Sequence, residues 1–336
     1  MEIIKEIKMI CNKLLKKRKM DMNDLKEKTI LITGATGLIG QAVIKELLKT
    51  NNHIKIIALV RNKEKAYQIL GKETENLEFY FGNVETITPQ KMNVDYIIHA
   101  ASQTSSKLFV ANPVETSLTA LIGTKNMLDI ARLSSVEGFV YLSSMEVYGA
   151  PTTDDKIFEN YNTNIDTMKV RSCYPESKRM CENLCVSYAS EYNVPAKVIR
   201  LTQTFGPGVR YDDGRVFAEF ARCVIEKKDI ILNTKGETKR SYLYTEDAAK
   251  AILTILKEGI AGEAYNVANE DTYCSIYEMA LLVAQKCAHN NISVRIKENM
   301  NENLGYAPVL HMNLDTSKIR KLGWKPLYGL EEMFKK

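Results

Sequence analysis

Histidine is scarce in this chain of 336 residues: four are scattered along it, and no spacing among them suggests a metal site. The seven cysteines are an odd number with no Cys-x-x-Cys among them, which argues against a disulfide framework or a zinc ribbon. Cys181 and Cys185 are simply four apart on a helical stretch, as reduced thiols of a cytoplasmic protein would be. No uninterrupted apolar run is long enough for a signal peptide or a membrane span. Internal repeats and low-complexity tracts are missing too. The net charge of +5 is small and diffuse, enough to favour anionic small molecules but no argument for nucleic acid. With 45% hydrophobic and 26% charged residues, the composition is that of a soluble globular protein of one large or two modest domains.

Residues 1–27 combine seven basic side chains between Lys5 and Lys19 with Ile3, Ile4, Ile7, Ile10, Leu14 and Leu15 at helical spacing. An N-terminal helical extension is expected there, docked on its own domain or on a partner subunit. Lying on a membrane surface is the less favoured alternative. From residue 28 short apolar runs alternate with helical patterns. Runs at 28–33, 54–60, 77–81, 96–99, 138–143 and 196–201 read as buried parallel strands, with helices at 41–48, 113–133 and around Tyr174. This alternation predicts an α/β fold, a Rossmann-type doubly wound parallel sheet over 28–201. Residues 202–336 read as a smaller α/β lobe over the carboxyl edge of the sheet, with some segments returning to the first domain. Its expected helices are 216–227, 245–257, 275–288 and 316–322.

Gly34, Gly37 and Gly40 fall between the first strand and the first helix, the context of a dinucleotide fingerprint. Thr36, Leu38 and Ile39 complete that turn, and the helix start would stabilise a pyrophosphate. The second strand closes on Val60-Arg61-Asn62, with no acid to hold a ribose 2′-hydroxyl. Arg61 therefore favours NADP, with NAD the alternative and a solvated surface arginine the bland reading. Asn83 and Val84 are candidates for the adenine. Ala100, Ala101 and Ser102 are small residues where bulk would collide with a cofactor.

Tyr174 and Lys178 are one helical turn apart and share a face. A neighbouring ammonium favours the phenolate, so Lys178 is expected to lower the Tyr174 pKa and let it act as acid or base. Alone the pair is common; the glycine turn and the Ser143-Ser144 pair upstream give it meaning.

With Ser143-Ser-Met-Glu-Val-Tyr-Gly149, Arg200-Leu-Thr-Gln-Thr-Phe-Gly-Pro207, Arg240-Ser-Tyr-Leu-Tyr and Leu322-Gly-Trp-Lys-Pro326, these motifs make the chain resemble the extended short-chain dehydrogenase/reductases. It resembles those of the epimerase/dehydratase type that modify nucleotide-diphosphate sugars, over about residues 28–330. The resemblance implies that Tyr174 takes a proton from the sugar C4 hydroxyl while hydride passes to the nicotinamide. It gives Lys178 the nicotinamide ribose and Ser144 the same sugar oxygen. It also implies a pyrophosphate contact for Arg240, and a sugar contact for Gln203 where relatives have Asn. Arg215 and Val216 open the helix that lines the nucleotide pocket, and His311 stands near where a second phosphate arginine often occurs. Met145-Glu146 replaces the Asp-Glu pair of 4,6-dehydratases. Met145 cannot donate a proton, whereas Glu146 could be a base or only a salt-bridged carboxylate. An epimerase in glycan-precursor synthesis is the leading expectation. A UDP-glucuronate decarboxylase, a dehydratase of unusual mechanism and an NADPH-dependent 4-keto-sugar reductase remain open, and a non-catalytic relative is disfavoured. A homodimer packed through the helices near 113–133 and 174–192 is implied as well.

Overall fold

A computed structural model describes residues 25–50, 53–297 and 309–335. Of the expected N-terminal helical extension, 1–27, residues 1–24 lie outside the described residues. Seven strands form one parallel sheet: β1 (Thr29–Thr33), β2 (Lys55–Val60), β3 (Leu77–Phe81), β4 (Tyr96–His99), β5 (Gly138–Ser144), β6 (Ala196–Leu201) and β10 (Ala264–Val267). The spatial order is β3-β2-β1-β4-β5-β6-β10, so connections reverse direction between β1 and β4. In doubly wound sheets that reversal opens a crevice at the carboxyl ends of the strands.

These strands are apolar almost throughout because helices cover both faces. Ile30, Ile32, Ile56, Ile98, Val140 and Ile199 point to one core, shared with α1 (Leu38–Leu48) and α7 (Thr245–Glu258). Leu31, Ile97, Phe139 and Val198 point to the other, shared with α4 (Pro113–Ser134) and α5 (Cys173–Tyr192). The chain also forms α2 (Lys63–Leu70) and α3 (Ser106–Ala111), two short helices that the sequence pattern did not announce.

After β6 the backbone enters a smaller lobe through β7 (Gln203–Phe205). There β9 (Lys239–Tyr244) pairs with β7, with β11 (Asn269–Ser275) and with β13 (His311–Met312). A separate pair joins β8 (Ile230–Leu232) to β12 (Val294–Ile296). Phe205 and Phe217 stack at 4.5 Å in the lobe core, Phe217 coming from α6 (Val216–Glu226). The helix expected over 275–288 is α8 (Ile276–Leu282), started by a Ser275–Glu278 capping box and continued as a π-helical turn through Cys287. α7, β10 and Trp324 pack with the seven-stranded sheet. Asp247 at the start of α7 accepts the backbone N–H groups of Leu327 and Tyr328, and its carbonyl accepts the Trp324 indole N–H.

Candidate active site

The glycine turn stands at the sheet's reversal point, and its shape follows from contact. Gly34 has φ +65°, and a Cβ on it would lie 2.7 Å from the Ala100 carbonyl carbon and oxygen at the end of β4. A Cβ on Gly40 would run into the Gly34 carbonyl. Gly37 caps α1 without a side chain, and no acidic residue occupies the first turn. The N–H groups of Leu38, Ile39 and Gly40 precede the first intrahelical bond, which Gln41 donates to the Gly37 carbonyl at 3.0 Å. This glycine cradle, open at a helix start, fits a dinucleotide diphosphate.

The floor of the crevice is held by a buried relay. Thr33 Oγ1 accepts the Ala101 N–H at 3.1 Å and lies 2.7 Å from His99 Nδ1. The pattern fits Thr33 donating to Nδ1, which puts the ring proton on Nε2. Burial, with Lys178 adding to it, drives His99 down to about 3, so the ring is neutral.

The other expected cofactor residues lie apart from the glycine turn in the chain, each in its own local setting. Arg61 is exposed just past β2. The Asn62 side chain caps α2 by accepting the Lys65 N–H at 2.7 Å, so this carboxamide oxygen has a structural task that sequence reasoning did not assign. Asn83 Oδ1 accepts the Glu85 N–H at 3.2 Å. Val84 is buried, and its carbonyl accepts from Asn126 at 2.9 Å. Ser102 donates to the Gln103 carbonyl at 3.3 Å. Thr36 is half-buried beside the glycine turn.

Ser144 and Tyr174 meet across the crevice. Ser144 ends β5 and caps a 3-10 turn over Met145–Tyr148, accepting the Glu146 N–H at 3.2 Å. Tyr174 lies in the first turn of α5, with the Ser144 hydroxyl near enough to favour its phenolate. Its ring is stacked on Phe109 of α3, with centroids 4.1 Å apart and planes 11° from parallel. Lys178 follows one turn later, as expected, but its ammonium donates to the Leu142 carbonyl at 2.7 Å. The Lys178 Nζ stands 4.8 Å from the Tyr141 ring centroid and 5.8 Å from that of Tyr174.

Here the structure corrects one expectation. Tyr174 is pushed well above the ordinary phenol range by burial, with Glu146 adding to the rise; Ser144 and Arg171 counter it, and Lys178 is not among the causes. The ammonium is itself buried and drops to about 8. Desolvation of a phenol outweighs a cation turned toward a backbone carbonyl.

Glu146 is salt-bridged. The Arg171 guanidinium donates to Glu146 Oε2 at 2.7 Å, and its carbon lies 5.4 Å from the Phe109 ring centroid. Met145 is buried, its sulfur 3.5 Å from Thr202 Oγ1. Arg171 and Phe109 were given no role from the sequence. The signal for Phe109 was a lone aromatic within the short apolar run Leu108–Ala111 between β4 and α4.

In the lobe, Arg240 of β9 donates to Gln203 Oε1 at 3.3 Å, bringing these two expected substrate residues together. The Arg240 Nε is buried with no protein acceptor. Arg215 is committed to Asp213 through two nitrogens at 2.6–3.2 Å, and Val216 packs on the lobe core. His311 lies opposite Lys239 in the β13–β9 register, with Nδ1 3.2 Å from Asp154. Among the described residues no cluster of His, Cys, Asp and Glu could hold a metal, and the six described cysteines are free.

A family model described as the NAD dependent epimerase/dehydratase family matches residues 30–268, taking in the glycine turn, Ser144, Tyr174, Lys178 and Arg240. The chain belongs to the NAD dependent epimerase/dehydratase family. It is 27% identical to UDP-glucuronic acid decarboxylase 1 of Xenopus tropicalis, over 93% of this chain and 71% of that protein. Its fold matches UDP-N-acetylglucosamine 4-epimerase from Methanobrevibacter ruminantium M1, crystallised with UDP-N-acetylmuramic acid, at a TM-score of 0.79 and 20% identity over 92% and 98% of the two chains. It also matches dTDP-glucose 4,6-dehydratase (DesIV) from Streptomyces venezuelae, solved with NAD bound, at 0.74 and 21% over 91% and 96%. As a member of the epimerase/dehydratase family the chain is an NAD-dependent type of enzyme, and no helix of its described residues is long and apolar enough to cross a membrane.

Proposed function

We propose that this enzyme oxidises and re-reduces a nucleotide-diphosphate sugar at C4 of the hexose, acting as a 4-epimerase. The observation that carries this reading is the Glu146–Arg171 pair at 2.7 Å beside a buried Met145. Dehydration needs an acid to expel a hydroxyl and a base to take a carbon-bound proton. Met145 has no proton to give, and Glu146 is held by a guanidinium. What the site retains is proton exchange at one sugar oxygen, through Tyr174 with Ser144 beside it. Lys178 keeps its ammonium at the end of β5, one turn from Tyr174. When bound, the nicotinamide supplies the site that takes and returns the hydride. Gly34, Gly37 and Gly40 would hold the cofactor diphosphate at the start of α1, with Asn83 and Val84 at the adenine. Ala100 and Ala101 would leave room for the cofactor at the end of β4. Arg61 supports NADP over NAD, because a guanidinium past β2 suits a 2′-phosphate and no acid stands there for a 2′-hydroxyl. In the lobe, Arg240 with Gln203 would take the substrate diphosphate and sugar. We also assign a homodimer, for which the exposed stripe Val114, Leu118 and Ile122 on α4 is the supporting surface.

A second reading, decarboxylation of a nucleotide-diphosphate hexuronate, is favoured by the relative named UDP-glucuronic acid decarboxylase. A 4-ketone makes the C5 carboxylate part of a β-keto acid, which loses carbon dioxide without the acid–base pair that dehydration needs.

The deciding experiment incubates the protein and NAD or NADP with UDP-glucose, UDP-N-acetylglucosamine, dTDP-glucose and UDP-glucuronic acid, reading products by mass and proton NMR. A product of unchanged mass inverted at C4 supports the epimerase. Loss of carbon dioxide from UDP-glucuronic acid supports the second reading, and loss of water overturns both. Tyr174→Phe should keep cofactor binding and lower turnover by about 10²–10⁴-fold; unchanged turnover removes Tyr174 from the chemistry.

A further inference from the structure

Phe109 touches two groups that the C4 reading leaves unconnected. Its ring lies flat on Tyr174, 4.1 Å between centroids, and the Arg171 guanidinium sits 5.4 Å from the same ring. The Phe109 side chain is fully buried, and its carbonyl is 3.2 Å from the Cys173 thiol, so α3 is pinned to the start of α5 at this point. Arg171 is in turn gripped by Glu146. We infer that Arg171 is a positioning residue for Tyr174, aimed by Glu146 and packed against the shared Phe109 ring, and that this is the task of Glu146 as well.

Three features of the site support this. A guanidinium is planar and weakly hydrated, so it rests on an aromatic ring at little cost and keeps its charge there. Arg171 and Glu146 are each about one-third exposed, at 39% and 30%, so the pair sits at the mouth of the crevice, and Tyr174 is buried just inside it. The two charges also act on Tyr174 in opposite senses: Glu146 raises its pKa and Arg171 lowers it. A paired Arg and Glu therefore offset each other at the phenol, and removing either one exposes the other.

The groups facing Tyr174 from each neighbouring element are few. The turn after β5 brings Ser144 and Glu146, and β5 itself brings Tyr141. Arg171 comes from the short helix before α5, Phe109 from α3 carries no charge, and α5 contributes Cys173 and Lys178. Lys178 donates to Leu142 and Ser144 is neutral, which leaves Arg171 and Glu146 as the adjustable charges.

The inference rests on the reading of Tyr174 as the acid–base group, and its test is built to fail separately. Tyr174 is replaced by trifluorotyrosine, whose phenol ionises well below that of tyrosine, and the phenolate absorbance is titrated without substrate. The same titration is run in the Arg171→Gln, Arg171→Lys and Glu146→Gln backgrounds. Removing one nearby charge should move the midpoint by about one pH unit, a roughly tenfold change in phenolate at fixed pH. Arg171→Gln is expected to move it up, Glu146→Gln down, and Arg171→Lys to stay near the parent. In otherwise native Tyr174 enzyme, the pH profile of turnover on whichever sugar nucleotide the panel identifies should move with the same signs. Midpoints that do not move in Arg171→Gln and Glu146→Gln, even with a lowered melting temperature, overturn the inference, because a purely structural pair would behave so. Active Tyr174→Phe enzyme would instead sink the C4 reading and leave the titration result standing.

Discussion

Arg200→Met should be among the most damaging single changes in this protein outside its glycine turn. Arg200, on β6, donates to Glu182 through Nε at 3.0 and 3.2 Å and through a terminal nitrogen at 2.6 Å. Its other terminal nitrogen donates to the Tyr148 hydroxyl and to the Glu159 carbonyl, both at 2.7 Å. Ser143 donates to Glu182 at 2.5 Å, and the Tyr148 hydroxyl donates to Asn266 Oδ1 at 2.7 Å. The charged side chains are only 15% and 11% exposed, so solvent screens them little. Removing one partner of such a pair leaves the other charge buried and costs about 3–5 kcal/mol. Residual exposure places the expectation near the lower end, about 3 kcal/mol. The double variant Arg200→Met/Glu182→Met shares with the single variant the loss of partners for Tyr148 and the Glu159 carbonyl, adds that of Ser143 at about 1–3 kcal/mol, and relieves the larger cost of the stranded carboxylate. Urea midpoints at constant slope measure both. A single-variant loss below about 1 kcal/mol, the scale of an exposed pair, would refute this reasoning, as would a double variant worse than the single.

Gly34→Ala should weaken dinucleotide binding about tenfold or more, the equivalent of roughly 1.4 kcal/mol, since the added Cβ drives the turn from the Ala100 carbonyl 2.7 Å away; titration calorimetry with NAD and with NADP reads it. His99 has its folded pKa depressed from 6.5 to about 3 by burial, so below pH 6.5 the unfolded chain takes a proton that the folded one refuses. Stability should therefore fall by about 1.4 kcal/mol per pH unit from pH 6.5 toward 3, and His99→Asn should flatten that part of a melting-against-pH curve. Leu118→Glu, at the middle of the exposed α4 stripe, should turn a dimer into monomer by sedimentation velocity, and a dimer that survives would move the interface elsewhere.

The central sheet was legible because a parallel strand covered on both faces leaves one unambiguous mark, a short continuous apolar run. Tyr96–His99 and Ala196–Leu201 emerge with the bounds the sequence predicts. The lobe strands β7, β8 and β13 were not legible, since the first two have three residues and the last two, too few for any period to register. Helix α2 has eight residues and buries only Ala66 fully, with Tyr67 and Leu70 partly covered, too short an apolar stripe to betray it. Nor could pattern place β10 beside β6, because pairing partners distant in sequence leave no local trace. The same limit governed the site. Tyr174 and Lys178 share a helix, and their spacing was visible; Glu146 and Arg171 are 25 residues apart and meet only in the fold. The Tyr174 pKa went the other way for a related reason, because burial by Phe109 is a tertiary fact.

Two carboxylate–guanidinium pairs bracket Ser144 and Tyr174, and their different exposure gives them different work. Glu182 lies one turn beyond Lys178 on α5 and ties that helix to β6 through Arg200, and to β5 through Ser143, next in chain to Ser144. Glu146 follows Ser144 by two residues and reaches Arg171, three residues before Tyr174. The Glu146–Arg171 pair therefore joins the end of β5 to the start of α5 at the crevice mouth, and the Glu182–Arg200 pair joins the middle of α5 to β6, with Ser143 adding the end of β5. A buried pair that loses a partner cannot recruit water, so damage at Glu182–Arg200 should appear in stability before chemistry. The pair at the mouth can be rehydrated, and damage there should leave the fold nearly intact and appear in the ionisation of Tyr174. Comparing Arg200→Met with Arg171→Gln in the same urea and pH experiments separates the two; equal stability losses would mean that the mouth pair is a second structural clamp.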